Sequence, residues 1–320
     1  YYEDLRITLY HYNLSIDETR MYLSKIIDYI SYLSKLISPL PYKSLNVVQI
    51  PRINIETEDD FSLIAISDDF FSGSLENFEN RIAHKLGKQW FGNLVNCNPD
   101  IDYLICTALP EYLYYMYIEE TQSISAAKAH LEKKRNLYFF LKNIYPKEEL
   151  PLYSTKNINF ILTKGFYFIH SLRFMLDDKF NLMLKKISSN FRNKIITYKD
   201  ILELTNTTYK KDLKTFFDFN NLSKRSIDFE ITLKNKRERR FYNVSLEVKK
   251  NGYDYEIPVE LLFNIQTYKI VEKVIQKNMK ETYKYIYDHE PYSAIVDPHF
   301  RYLRDYGELK LKNNELDLLA

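Results

Sequence analysis

Arg81-Ile82-Ala83-His84-Lys85-Leu86-Gly87-Lys88-Gln89-Trp90-Phe91-Gly92-Asn93-Leu94-Val95 is the stretch on which the reading of this chain turns. From Leu75 onward apolar residues recur at helical spacing, which predicts a helix to about Asn96, broken by Asn98-Pro99-Asp100. Residues four apart on a helix share a face. Two histidines in that spacing, with a Glu after the first, hold a zinc ion and activate a water on it. Here His84 stands at the first position, Lys85 where the Glu would be and Lys88 where the second His would be. An ammonium donates hydrogen bonds, offers no lone pair and repels a dication. The stretch has the spacing of a metal site without its chemistry.

Before this helix the pattern is that of a small mixed sheet. Leu5 to Tyr10 alternates as a strand, Asp17 and Glu18 open an amphipathic helix to about Ile37, and Ser44 to Ile50 is a second strand. The acidic run Glu56-Thr57-Glu58-Asp59-Asp60 leads into a third strand, Ser62 to Ser67. After the helix the period stays helical: Tyr103 to Glu120, Ser125 to about Asn143, Ile158 to Met175, Asp178 to Phe191, Tyr198 to Asn206 and Asp212 to Phe219. Beyond Asn221 it switches to alternation, with strands at 227–233, 242–248 and 256–262 and later ones near 283–287 and 293–296. Asn251-Gly252 is a turn signal, and Tyr268 to Met279 fits strand or helix equally. The expected fold is α+β, in two domains: 1–222, a mixed sheet with a helical bundle, and 223–320, a β-sandwich.

The 320-residue chain is 45% hydrophobic and carries a net charge of +2, so bulk electrostatics give no reason to expect a nucleic-acid partner. No apolar run is long enough to span a bilayer, and no signal peptide is visible. The first residue is Tyr1 rather than Met, which fits a piece of a longer protein. Cys97 and Cys106 make no disulfide framework and leave the redox compartment open.

Gln89-Trp90-Phe91-Gly92-Asn93-Leu94-Val95, Pro41-Tyr42-Lys43-Ser44-Leu45, Thr163-Lys164-Gly165 and Val296-Asp297-Pro298 together resemble the aminopeptidase N and leukotriene hydrolase family of gluzincin zinc metallopeptidases. The resemblance implies a thermolysin-like domain followed by a β-sandwich, with the family's N-terminal β-domain outside this chain. It also implies where the chemistry should lie. The first zinc ligand matches His84, the general base falls on Lys85 and the second ligand on Lys88. The third ligand, a Glu nineteen positions further on, falls on Thr107, and the Tyr that stabilises the tetrahedral intermediate falls on Leu162. The loop that binds a peptide's free amine should precede the third strand, where Glu58 and Asp59 stand without the family's pattern. Catalytic zinc sites take three protein ligands, so the resemblance implies a peptidase fold with no zinc, no cofactor and no peptidase activity.

Two roles stay open for Lys88. Its ammonium can occupy the place of the metal's charge against Glu111, or it can reach solvent through the old cleft. Glu111, Tyr112, Glu58 and Asp59 are candidate cleft residues. The row Tyr112, Tyr114, Tyr115, Tyr117 offers either a binding surface or ordinary packing. Lys234, Lys236, Arg237, Arg239 and Arg240 form a basic hairpin tip, suited to an anionic surface or to plain solvation. The other histidines, His11, His130, His170, His289 and His299, show no spacing that forms a site. The function expected is that of a pseudopeptidase acting as a protein- or peptide-binding or scaffolding module. The resemblance implies that such a domain can hang from a membrane protein, as in related bacterial architectures, membrane-tethered or extracytoplasmic, and the compartment itself stays open. The competing readings are an active zinc metallopeptidase with rebuilt ligands and a metal-free transcription-factor scaffold of the same ancestry.

Overall fold

A computed structural model describes residues 2–52, 61–98, 104–148, 150–152, 154–222, 226–251 and 255–304. The acidic run with Glu58 and Asp59, and Gly252 of the turn signal, lie outside the described residues. The chain divides into two compact units, Tyr1–Lys224 and Arg225–Ala320.

The first unit opens with β1 (Arg6–Tyr10), α1 (Ile16–Leu36), β2 (Ser44–Ile50) and β3 (Leu63–Ser67). The three strands pair in the order β1-β2-β3, parallel throughout, so among the described residues this sheet is not mixed as expected. Parallel pairing of β1 and β2 follows from the connection: α1 returns the chain from the end of β1 to the start of β2. Ser15 and Glu18 cap α1 reciprocally, each satisfying a backbone N–H of the other's turn. The buried row Tyr22, Ile26, Tyr29, Ile30, Leu33 then faces the interior.

Next come α2 (Asp68–Ser72), α3 (Leu75–Trp90), the two-residue β4 (Asn96–Cys97), α4 (Leu109–Thr121), α5 (Ile124–Ile144) and α6 (Ile158–Phe160). They are followed by α7 (Phe166–Leu176), α8 (Lys179–Asn190), β5 (Ile195–Ile196, paired with β4), α9 (Tyr198–Tyr209) and α10 (Lys214–Leu222). α3 stops at Trp90, six residues before the expected end. Gly92 adopts φ +148°, which turns the chain out of the helix, and the N–H groups of Asn93, Leu94 and Val95 fold back onto the carbonyls of Lys88, Gln89 and Trp90. Two other predicted helices are interrupted. π-helical turns at Leu104–Ala108 and Ile161–Gly165 precede α4 and α7 and pack against each other. Each inserts an extra residue per turn and re-aims the side chains beyond it.

The second unit holds β6 (Asp228–Glu238), β7 (Phe241–Asn251), β8 (Ile257–Ile265), β9 (Tyr268–Gln276), β10 (Lys280–Tyr287) and β11 (Pro291–Val296). The ambiguous stretch at 268 is therefore a strand. The strands form two antiparallel sheets, β10-β7-β6 and β11-β8-β9. Val244, Leu246 and Val248 alternate into the interior from β7, and Ile257, Val259, Leu261, Phe263 and Ile265 from β8. Phe263 joins the sheets by packing on the rings of Tyr285 and Tyr287. Of the basic residues expected at a hairpin tip, Arg239 and Arg240 form the exposed β6–β7 turn, while Lys234, Lys236 and Arg237 lie exposed along β6.

Candidate functional site

The site is built on α3, α4 and α5. Gly87 lets α3 and α4 approach, since a Cβ there would lie 3.0 Å from Cα of Pro110. This contact sets His84 against Glu111, with Nδ1 3.2 Å from Oε2. The other carboxylate oxygen receives the ammonium of Lys134 from α5. The cation on Glu111 is thus that of Lys134, so of the two roles left open for Lys88 the pairing with Glu111 is taken by another residue. All three side chains are largely buried, with Glu111 at 10%, Lys134 at 14% and His84 at 17% exposure. Burial alone pushes the Glu111 carboxyl up, but Lys134 and His84 outweigh it and hold it well below the usual carboxylate range.

His130 lies one turn before Lys134 on α5, among the rings of Tyr114, Tyr115 and Phe166. Burial and then the Lys134 charge bring its pKa down to about 4, with Glu111 opposing, so it is neutral at pH 7. Its Nε2 is buried and meets no hydrogen-bonding group. A second polar cluster lies behind the first. Tyr112 OH pairs with Nδ1 of His170 at 2.9 Å and accepts from Arg173, while Arg173 pairs with Glu119 at 2.6 Å and Tyr115 donates to Glu119.

The sequence-predicted positions fall out as follows. Lys85 is buried and Lys88 half-buried on α3. Thr107 and Leu162 are half-buried, one in each π turn, and Leu162 has no hydroxyl to offer a developing oxyanion. Tyr112 does not line a cleft: it is completely buried, and Tyr114 and Tyr115 are buried with it, so that row is packing. His130 and Lys134 escaped the sequence reading. The signal was present: Ala127, His130, Leu131, Lys134, Tyr138 and Leu141 form one helical stripe, and a His and a Lys inside an apolar stripe mark an interior polar pair.

Outside this site, the remaining histidines hold local structure. His299 Nδ1 pairs with Glu260 at 2.8 Å beside Arg301, bracing the corner after β11. The two cysteines, read as making no disulfide framework, are joined: Cys97 and Cys106 form a disulfide with Cα atoms 6.1 Å apart. It ties the end of β4 to the π turn that carries Thr107.

The donor set does not fit a zinc ion. Of the four matched positions only His84 carries a ligand atom suited to zinc, two carry ammoniums and one a hydroxyl, and the imidazole nitrogen Nδ1 is committed to Glu111. Among the described residues, no three His, Cys, Asp or Glu side chains group as metal ligands.

Among solved structures, the chain is similar to the crystal structure of Legionella pneumophila aminopeptidase A in complex with aspartic acid, with a TM-score of 0.78 and 13% sequence identity. The match covers 93% of this chain and 36% of that one, so this chain spans about a third of the aminopeptidase's length. No family model and no curated protein matches the sequence. Among the described residues no helix is long and apolar enough to cross a membrane. At this identity the likeness speaks for the fold alone: the chain has an α+β, aminopeptidase-like fold.

Proposed function

We propose that this chain is a catalytically inactive aminopeptidase-like domain, derived from the aminopeptidase N family, that binds a protein or peptide or serves as a scaffold within a larger protein. In this reading the first unit is a thermolysin-like body and the second a β-sandwich. The observation that carries it is the internal ion cluster His84–Glu111–Lys134. The carboxylate nearest the histidine is satisfied by an ammonium from the protein itself, which supplies the positive charge a metal would bring. With Lys85 at the base position, the side chain there is an amine in place of the carboxylate that would take a proton from water. What the fold retains is a scaffold for peptide or protein surfaces, and a domain attached to a membrane protein would present it there.

The test is metal content with activity. Protein purified without chelator, and a second sample refolded with excess zinc, should each hold less than about a tenth of an equivalent of zinc. Both should leave a panel of aminoacyl anilides uncut. A full equivalent removed by chelator, with chelator-sensitive turnover, overturns the reading and makes the chain a peptidase with rebuilt ligands.

A further inference from the structure

We infer that the outer flank of α5 is a docking surface for anionic lipid headgroups. The inner stripe of this helix is spent on the core, yet a second apolar stripe faces outward. Leu137, Phe140 and Ile144, spaced three and four apart, are 39%, 58% and 51% exposed, and Tyr145 follows at the C-cap with 47%. Pro146 and Ile158 are exposed in the chain that follows. Large apolar side chains grouped in this way exceed ordinary surface scatter and mark an interaction site.

Charge decides what covers it. Between residues 128 and 156 the sequence has seven Lys or Arg against three Glu, an excess larger than the +2 of the entire chain. Three of the seven are paired within the protein: Lys134 with Glu111, Lys133 with Glu76 and Lys128 with Glu132. Lys147 and Lys156 are exposed in the chain that follows the stripe, and Lys142 lies over the ring of Tyr138. A convex helix flank carrying Phe, Ile, Leu and Tyr, bordered by lysines, suits the headgroup boundary. There the aliphatic groups enter the acyl edge, the Tyr sits at the interface and the ammoniums meet phosphate. The inference draws on none of the residues invoked for the loss of catalysis.

The experiment is co-sedimentation of the whole chain with vesicles of phosphatidylcholine containing about 30% phosphatidylglycerol, against pure phosphatidylcholine, at about 0.1 M salt. Binding is expected to the anionic vesicles only and to fall as salt rises to about 0.5 M. The double variant Phe140→Ser/Ile144→Ser should weaken it at least about tenfold, and Lys147→Ala/Lys156→Ala by roughly fivefold per lysine. Both pairs are exposed, and unchanged circular dichroism confirms that the variants fold. No binding to anionic vesicles overturns the inference, and so does binding that the Phe140/Ile144 variant leaves unchanged. Concentration-dependent self-association abolished by the same variant would make the stripe a contact between copies and equally overturn it.

Discussion

The two halves of the stretch 84–95 have opposite relations to their surroundings. From Gln89 to Val95 nearly every group is engaged in holding the fold. Oε1 of Gln89 accepts from Tyr42 OH and from the N–H of Ser62, and Nε1 of Trp90 donates to the carbonyl of Ser38. Phe91, Leu94 and Val95 are buried. These contacts tie α3 to the sheet and to the end of α1. At the start of the stretch His84 belongs instead to a local ion cluster reaching α4 and α5. The first half can change its chemistry while the second holds the backbone, because the constraints act on different side chains of one helix. A stretch split in this way lets one helix serve the fold and a polar cluster with different side chains.

The comparison breaks most readily at Trp90. Its indole is completely buried and its N–H is satisfied. Trp90→Ala should cost about 3–5 kcal/mol, from lost burial, the cavity and an orphaned Ser38 carbonyl. Urea unfolding reads this directly, and a loss under about 1 kcal/mol would remove the second half's claim to carry the fold.

The first half is tested at Lys134. Lys134→Ala leaves Glu111 buried with only His84 to oppose its charge, and breaking a buried pair in this way costs about 3–5 kcal/mol. Lys134→Met combined with Glu111→Leu removes both charges and should recover most of that loss. If the double variant is as unstable as the single one, the cluster owes its stability to packing rather than to charge compensation.

His130 sharpens the picture through pH. In the unfolded chain it takes its proton near the ordinary value of 6.5, in the folded one only near 4. Between those values the unfolded state binds more protons, so stability falls as pH falls. The contribution is present above about pH 6.5 and lost towards pH 4, worth about 3 kcal/mol over that window. Glu111, with its depressed carboxyl, adds a further loss below its ordinary value of 4.5. In His130→Gln the stability difference between pH 7 and pH 5 should shrink, while the loss below pH 4.5 remains.

The periodic elements were legible because they depend on local sequence: α1, α3, α5, β2 and β7 follow from spacing alone. What escaped depends on contacts across the fold. Glu111 is 27 residues from His84 and 23 from Lys134, and only the α3–α4–α5 packing makes them neighbours. No spacing rule reaches that far, so the role that Lys134 holds was weighed only for Lys88, which shares a helix face with His84. The π turns escaped for the same reason, since the contact between 104–108 and 161–165 is tertiary. Tyr112 was misplaced because a Tyr-rich helix gives no sign of which tyrosines face inward. The α4 burial pattern is nearly all-round, with Leu109 through Met116 interior.

The disulfide links the two halves and gives the smallest of these effects. Cys97 follows the structural half of the stretch, and Cys106 sits in the π turn that leads to Glu111. The bridge closes a loop of sequence separation 9, for which the chain-entropy estimate is about 2–3 kcal/mol. Cys97→Ser/Cys106→Ser should lower stability by that amount, and reductant should lower the parent to the same level while leaving the variant unchanged. The location of the loss matters more than its size. If the bridge serves only the fold half, the apparent pKa of Glu111 stays depressed in the variant. If it also holds α4 against α3, that pKa rises towards the ordinary carboxylate range as Glu111 moves away from His84. Carboxyl carbon NMR of Glu111 in parent and variant separates the two, and a change in both stability and pKa would mean that one covalent tie supports fold and site together.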